Sequence, residues 1–154
     1  MKNNHCTQKE KAEQFHQYHV KGQPLVLVNV WDAGSAQTIQ STGAKAIATG
    51  SWSVAAAHGE QDGEALPFQL VLANLSRITK SVDLPVTIDI EGGYGRSVSE
   101  VKQNVLQIIE QTPNEPSPRH LATLGVARIS YGPYPYLQVM ENLKALGQRT
   151  LTGA

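Results

Sequence analysis

The chain has 154 residues, enough for one domain with a substantial hydrophobic core. Thirteen basic residues balance thirteen acidic ones, so the composition gives no electrostatic reason to expect nucleic acid or an anionic membrane as a partner. No apolar run approaches a bilayer span, the polar start lacks the apolar core of a signal peptide, and the single cysteine excludes an internal disulfide, so we expect a cytoplasmic protein.

The first part of the chain alternates segments typical of helices and of buried strands. Residues 8–20 carry apolar side chains at helical spacing and are followed by glycine and proline. The apolar run 25–30 predicts a strand that is buried on both faces, and we expect Ser35 to cap the short helix after it. A second buried strand is expected at 44–49. The polar, glycine-containing segment 50–64 is too long for a tight turn, so we interpret it as a binding loop.

The clearest helix is predicted at 67–82, where apolar residues recur every three or four positions. A strand at 86–90 follows it. Ser97 and Glu100 then have the spacing of a capping box and predict a further helix that reaches about residue 111. Strands and helices that alternate in this way form parallel sheets with right-handed crossovers.

Three prolines within residues 112–120 interrupt this alternation, because proline neither continues a helix nor enters a central strand. Beyond them we expect a strand at 124–132 and a last helix at 136–146 that ends at Gly147. The residues of this helix that we expect to face inward are Leu137, Met140 and Leu143. Only four strands are predicted, whereas an eight-stranded barrel takes about 250 residues, so the chain is too short for a complete barrel.

Two carboxylates lie at the predicted carboxyl end of the strand at 86–90. In the stretch V-T-I-D-I-E-G-G-Y-G, Asp89 and Glu91 alternate with apolar residues and therefore point to one face of a continuous strand. Carboxylates that point the same way repel each other unless a cation or a proton lies between them, and a hard ion such as Mg²⁺ suits them. The alternative, a solvated strand end without a ligand, remains open at this point.

Four blocks of sequence together indicate a family. They are N-V-W-D-A-G-S-A (29–36), the stretch from Ile47 to D-G-E (62–64), D-L-P-V-T-I-D-I-E-G-G-Y-G (83–95) and G-V-A-R-I-S-Y-G-P (125–133). These blocks resemble the isocitrate lyase and phosphoenolpyruvate mutase superfamily, in particular its carboxyphosphonoenolpyruvate mutase and methylisocitrate lyase types. The resemblance implies an α/β fold, a partial (β/α)8 TIM-barrel-like structure whose parallel strands correspond to strands 1, 2, 3 and 8, so that the middle of the barrel is absent.

The resemblance also implies a domain organisation. We expect one truncated barrel domain over residues 1–154, with N-terminal βα units at 8–111, a proline-rich junction at 112–120 and a C-terminal βα unit at 121–154. Strand 8 neighbours strand 1 in a closed barrel, so the expected strand order is 3-2-1-8. Such an open half-barrel has an uncovered inner face, and we therefore expect a homo-oligomer. The inner-face residues predicted to be partly uncovered are Val26, Val28, Ile47 and Ile88.

Family members hold Mg²⁺ at the end of strand 3, and the resemblance maps this metal, with Mn²⁺ as a possible substitute, onto this chain. The implied metal ligands are Asp89, Asp62 and Glu91. The family usually has a second aspartate at the position of Glu91. Backbone amides after strand 2 bind a carboxylate of the substrate in the family, and the matching residues here are Gly50, Ser51 and Trp52. The implied partner is a small carboxylic acid.

Other parts of the family's catalytic machinery have no counterpart in the sequence. A glutamate from strand 4, a substrate-binding arginine and the catalytic loop are missing, so the catalytic residues are unknown. We interpret Arg96 and Arg128, which lie near predicted strand ends, as solvated or ion-paired surface groups. One hypothesis is an impaired Mg²⁺-dependent lyase or mutase that cleaves C–C or P–C bonds of 2-oxo or enolate-forming acids. The alternative is a catalytically inactive remnant or scaffold that associates with itself or with a full-length relative.

Overall fold

The computed structural model describes residues 7–20, 25–110 and 128–153. The helices of these residues are α1 (Gln8–Gln17), α2 (Ala33–Ser41), α3 (Ser51–Ala57), α4 (Phe68–Ser81), α5 (Val98–Glu110) and α6 (Tyr134–Thr152). The strands are β1 (Leu25–Leu27), β2 (Asn29–Val30), β3 (Ile47–Thr49), β4 (Val86–Thr87) and β5 (Arg128–Ser130). The predicted junction at 112–120 and the first part of the strand predicted at 124–132 lie outside the described residues.

All strand pairs among the described residues are parallel. β1 pairs with β5, while β2, β3 and β4 form a sheet in that order. Because only Val28 separates β1 from β2, the two belong to one predicted strand, and the order across the structure is β4, β3, β2 with β1, and β5. This is the predicted order 3-2-1-8. The α/β fold with a partial barrel is confirmed.

One face of the sheet packs against α2 and α4. Val30 and Ile47 are fully buried there with Ala36, Ile78 and Val82. Ile47 therefore lies on the side of the sheet that the helices cover, whereas the sequence analysis expected it on an uncovered inner face. Val26 also has this orientation by strand alternation, yet it is 50% exposed, so the first strand is not buried on both faces along its length.

The opposite face of the sheet, called the inner face below, holds a second buried cluster formed by Leu25, Leu27, Ala46 and Ala48. Phe15 and Tyr18 of α1 pack against it. The apolar side chains predicted to be uncovered thus lie on the helix side, and the chain's own first helix covers part of the inner face. Strand alternation grouped the side chains of the two faces correctly, but the sequence analysis took the group that faces the helices to be the uncovered one.

Capping contacts define where two helices begin. Asp32, not Ser35, is the N-cap of α2: the Ser35 amide donates to Asp32 Oδ1 at 2.7 Å, and the Asp32 amide donates to Ser35 Oγ at 3.1 Å. The capping box before α5 is confirmed, since the Glu100 amide donates to Ser97 Oγ and the Ser97 amide donates to Glu100 Oε2. The Ser97 hydroxyl, and then the Arg96 and Ser97 amides, donate to the Glu100 carboxylate and hold its pKa below the usual value.

Two helices differ from the prediction. Segment 50–64 was interpreted as a loop, but α3 occupies its first half because the run S-W-S-V-A-A-A has no breaking residue. α6 does not end at Gly147; it continues to Gly153, whose φ of 71° ends it. Its Leu137, Met140 and Leu143 side chains are exposed rather than inward, and Tyr136 is its buried residue. None of the described helices combines the length and apolar composition needed to cross a bilayer.

Candidate functional site

The site begins where β4 ends, earlier than the sequence predicted. The strand stops at Thr87, so Asp89 and Glu91 lie in the loop that follows. Glu91 has a φ of 54°, in the left-handed region, and this residue turns the chain away from the strand direction. The two carboxylates consequently contact different partners. The expectation that they point the same way from one strand face was wrong.

Asp89 is held at the carboxyl ends of β3 and β4. Its amide donates to Thr49 Oγ1 at 3.0 Å. Its Oδ2 atom accepts the Ser51 hydroxyl at 3.2 Å and lies 3.5 Å from the Ser51 amide, while Oδ1 accepts the Glu91 amide at 3.0 Å. These four contacts fix both the backbone and the carboxylate at the edge of the sheet where parallel α/β folds place their ligand sites.

Glu91 joins two loops. Its Oε2 atom accepts the amides of Gly63 at 2.8 Å and Glu64 at 2.7 Å. In the reverse direction, Glu64 Oε1 accepts the amide of Tyr94 at 2.8 Å. We call this reciprocal pair of contacts between residues 62–64 and 91–95 the loop latch. The latch engages Oε2 of Glu91, and Oε1 lies outside it.

Tyr94 lies beside these acidic groups. Burial, and then the charges of Glu91 and Glu64, raise the pKa of its hydroxyl to about 12. The hydroxyl donates to Glu91 Oε1 at a long 3.5 Å, and the ring packs against Phe68. The exposed carboxylate of Asp62 acts on the Tyr94 pKa in the same direction. The loops beyond β3 and β4 therefore concentrate negative charge in one place, which favours a cation.

The carboxylates do not, however, form a ready ligand set. Among the residues that the structure describes, no three acidic, histidine or cysteine side chains converge as metal ligands would. Asp89 fits a hard cation by its chemistry and by its fixed position. Asp62 lies near enough to influence Tyr94, and Glu91 retains one oxygen. Of the three carboxylates predicted as metal ligands, Asp89 is therefore the one whose position suits direct contact with a divalent ion.

The three residues predicted to bind a substrate carboxylate lie at the start of α3. Gly50 is the N-cap of this helix, but its amide lies 3.4 Å from the Val30 carbonyl, which accepts it. The Ser51 amide faces Asp89. Trp52 is partly exposed, and its ring packs edge-on against Tyr136 of α6 at 5.9 Å. The Gly50 amide is thus directed at a backbone carbonyl and the Ser51 amide at the Asp89 carboxylate.

Asn29 is a positioning residue that the sequence analysis did not identify. This residue is 5% exposed, its Nδ2 donates to the Thr49 carbonyl at 2.9 Å, and its Oδ1 accepts the Tyr131 amide at 3.1 Å. It thereby connects the ends of three neighbouring strands. The signal was present in the sequence, since Asn29 is the one polar residue in the run L-V-L-V-N-V.

A small cavity lies between the end of the sheet and helices α3 and α4. Its lining includes Thr49, Leu66, Asn74 and Asp89, and it is about the size of one water molecule. A carboxylic acid does not fit in this space. The cavity is therefore not the binding site of such an acid, and Asp89, which is exposed, is accessible from outside it.

Comparison with known proteins gives consistent likenesses. The family model described as phosphoenolpyruvate phosphomutase matches residues 15–112. An uncharacterized protein of Mycobacterium tuberculosis is 33% identical over 94 residues, 61% of this chain and 36% of that protein. The chain thus spans about a third of the length of this curated relative.

Solved structures show the same fold. A protein of Burkholderia cenocepacia J2315, provisionally assigned as a phosphonomutase, is 30% identical with a TM-score of 0.79, over 90% of this chain and 99% of the other. The two chains are therefore of nearly equal length. A phosphonopyruvate hydrolase in complex with oxalate and Mg²⁺ has a TM-score of 0.61 at 18% identity, over 67% of this chain and 36% of that chain, a likeness of fold alone.

Proposed function

The chain belongs to the phosphoenolpyruvate phosphomutase family, and on this premise we propose that it binds a small 2-oxo or enolate-forming carboxylic acid together with Mg²⁺ or Mn²⁺ at Asp89. The proposed chemistry is that of a lyase or mutase for C–C or P–C bonds, with strongly reduced turnover. The observation that supports it best is the fixed position of Asp89, which Thr49 and Ser51 hold at the carboxyl end of the sheet.

In this proposal Asp89 binds the metal directly, and Asp62 and Glu91 bind it through water. A bound divalent ion supplies a Lewis acid that stabilises negative charge on the carboxylate and enolate oxygens of the acid. The chain's own residues orient that acid: the Ser51 and Trp52 amides donate to its carboxylate. Gly50 contributes by allowing close packing, since a Cβ atom here would lie 3.4 Å from Asn29 Nδ2. The oxalate and Mg²⁺ of the phosphonopyruvate hydrolase support this ligand class.

Low turnover follows from the groups that the sequence lacks. The strand-4 glutamate, the substrate arginine of the family and the catalytic loop have no match in the chain. Loss of one catalytic group typically costs several orders of magnitude in rate. The alternative, an inactive remnant or scaffold, is favoured by the separate orientations of Asp89 and Glu91. We propose for both cases a single domain in the cytoplasm that forms a homo-oligomer.

Calorimetric titration with Mn²⁺ tests the metal site. We expect weak binding by the folded wild-type protein and none by Asp89→Ala, whereas Glu60→Gln, which neutralises an exposed carboxylate before the loop latch, should bind as the wild type does. Equal heats for wild type and Asp89→Ala would refute the site. A coupled assay for pyruvate release from oxaloacetate, methylisocitrate or phosphonopyruvate separates the two functions: turnover that disappears in Asp89→Ala identifies the enzyme, and binding without turnover identifies the remnant.

A further inference from the structure

Glu64 takes part in both directions of the loop latch. Its amide donates to Glu91 Oε2 at 2.7 Å, while its own Oε1 atom accepts the Tyr94 amide at 2.8 Å. Its φ of 62° lies in the left-handed region, as do the φ angles of Glu91 and Tyr94. Such conformations are costly for residues other than glycine and persist only where contacts fix them. Glu64 is therefore the residue through which the two loops hold each other.

The space around the Glu64 carboxylate is narrow. Gly92 lies directly against it, since a Cβ atom at this position would be 2.9 Å from Glu64 Oε1. On the other side of the loop, Asn104 Nδ2 of α5 donates to the carbonyls of Gly93 at 2.9 Å and Tyr94 at 2.7 Å. The contact between Glu64 and the Tyr94 amide is thus confined on both sides, and a small change at Gly92 is enough to displace it.

The latch is connected to Asp89 through Glu91. The Glu91 amide donates to Asp89 Oδ1 at 3.0 Å. The carboxylate of the same residue accepts two amides of the latch. A closed latch therefore fixes Glu91 on both sides and, through its amide, one oxygen of Asp89.

A closed latch also brings like charges together. The pKa of the Tyr94 hydroxyl is raised by burial and by three nearby carboxylates, those of Glu91, Glu64 and Asp62. Mutual repulsion of these carboxylates opposes closure, and a divalent cation at Asp89 relieves it. An ion that binds more tightly when the latch is closed must favour closure by the same factor, because the two equilibria are linked.

We propose that Glu64 is a positioning residue for the metal site: it does not touch the ion, and it raises the affinity of Asp89 for a divalent cation by keeping the latch closed. This inference rests on the proposed function, because it presupposes the ion at Asp89. The ion closes the latch, and the closed latch tightens the binding of the ion. Order in residues 62–64 and 91–95 then reports on metal binding.

Hydrogen exchange and calorimetry test both directions of this coupling in the full chain. We expect saturating Mg²⁺ to raise the protection of the Gly63, Glu64 and Tyr94 amides by about 5- to 10-fold, the lower end of typical coupling between sites, while exchange in α4 is unchanged. Glu64→Ala should lower the affinity for Mg²⁺ by up to the same factor. A purely structural contact of Glu64 would leave the protection of these amides independent of Mg²⁺.

Two further variants separate the contact from the charge. Gly92→Ala keeps every carboxylate, but its Cβ atom displaces Glu64 Oε1 from the Tyr94 amide, so it should lose as much affinity as Glu64→Ala. Gly92 does not have a positive φ, so its backbone accepts alanine. Glu64→Gln keeps the acceptor without the charge, and its affinity should lie between those of Glu64→Ala and the wild type. Glu60→Gln, outside the latch, is the control and should bind Mg²⁺ as the wild type does.

The outcomes distinguish this role from the proposed function. If the wild-type protein binds Mg²⁺ but the ion leaves the protection of the latch unchanged, or if Gly92→Ala and Glu64→Ala bind it as the wild type does, the role of Glu64 is wrong while the metal site stands. Equal losses in Glu64→Gln and Glu64→Ala, with Gly92→Ala unaffected, would mean that charge alone acts on the ion and would also overturn the role. If the wild-type protein does not bind Mg²⁺, the proposed metal site and this inference both fail.

Discussion

The loop latch allows a test of how the site is held together. Replacement of Glu91 by alanine removes the oxygen that accepts the Gly63 and Glu64 amides at 2.8 and 2.7 Å. Hydrogen bonds to a charged acceptor contribute about 1.5–3 kcal/mol each when buried, and about 1 kcal/mol each is reasonable at this half-exposed site. A loss of about 2 kcal/mol raises the equilibrium constant for local opening of these loops by about 30-fold.

Amide hydrogen exchange measures this opening directly. We expect the protection of the Gly63 and Glu64 amides to fall by about 30-fold in Glu91→Ala while exchange in α4 stays unchanged, because α4 is held by the core cluster of Ile78 and Val82. Glu91→Asp should behave like alanine, since its carboxylate is shorter by roughly 1.5 Å, one C–C bond, and does not reach the amides.

A series of substitutions at Glu91 distinguishes the loss of the two hydrogen bonds from the loss of the negative charge. Glu91→Gln keeps an acceptor of the same length without its charge and should lose about half as much protection, because charge-assisted hydrogen bonds are about twice as strong as neutral ones. Glu60→Gln, outside the latch, serves as the control. Unchanged protection in Glu91→Asp would refute the reasoning, since it would mean that negative charge alone, rather than the two contacts, orders the loop.

Three further predictions follow from other contacts. Spectrophotometric titration at alkaline pH should reveal one tyrosine with a pKa of about 12. This transition should be missing in Tyr94→Phe, and the pKa should be lower in Glu91→Gln. Because the folded state favours the neutral hydroxyl, the contribution of Tyr94 to stability is present below pH 10 and is lost as the pH rises through about 12. Asn29→Leu should lower the free energy of unfolding by about 2–4 kcal/mol in a urea titration, since it leaves the two backbone partners of Asn29 unpaired, and a loss below about 0.5 kcal/mol would contradict the bridging role. Leu137→Glu combined with Leu143→Glu on the exposed side of α6 should convert the proposed oligomer into a monomer by light scattering, and a wild-type monomer at micromolar concentration would rule the oligomer out.

The sequence predicted the order of the strands because their boundaries are locally marked. Apolar runs of suitable length, separated by glycine and proline, located each strand, and the family resemblance gave the neighbours of the first and last strands. Which face of the sheet packs against the helices could not be predicted in the same way. Leu25, Val26, Leu27 and Val28 are all apolar, so alternation divides them into two sets without indicating which set meets the helices.

The sequence analysis proposed residues for the site, but it did not predict how their side chains are arranged. The alternation in V-T-I-D-I-E assumed that the strand continues to Glu91, whereas pairing with β3 ends at Thr87. Glu91 has a left-handed backbone conformation, and its carboxylate contacts residues 63 and 64 whereas that of Asp89 contacts Ser51. No periodicity encodes these contacts, because the amides of residues 63 and 64 lie 28 and 27 positions before Glu91 in the chain.

The loop latch also holds three loop residues in an unfavourable backbone conformation. Glu64, Glu91 and Tyr94 all have positive φ, at a cost of roughly 1–2 kcal/mol for each residue. The reciprocal contacts between carboxylates and amides counter part of this cost locally, because they hold the two loops against each other. Under the proposed function, ligand binding and turnover are separable: the loops and Asp89 proposed for binding are present, whereas the groups that the resemblance assigns to turnover have no counterpart in the sequence. Under this reasoning, the affinity for a small carboxylic acid is a more sensitive test of the proposed function than the rate of any reaction.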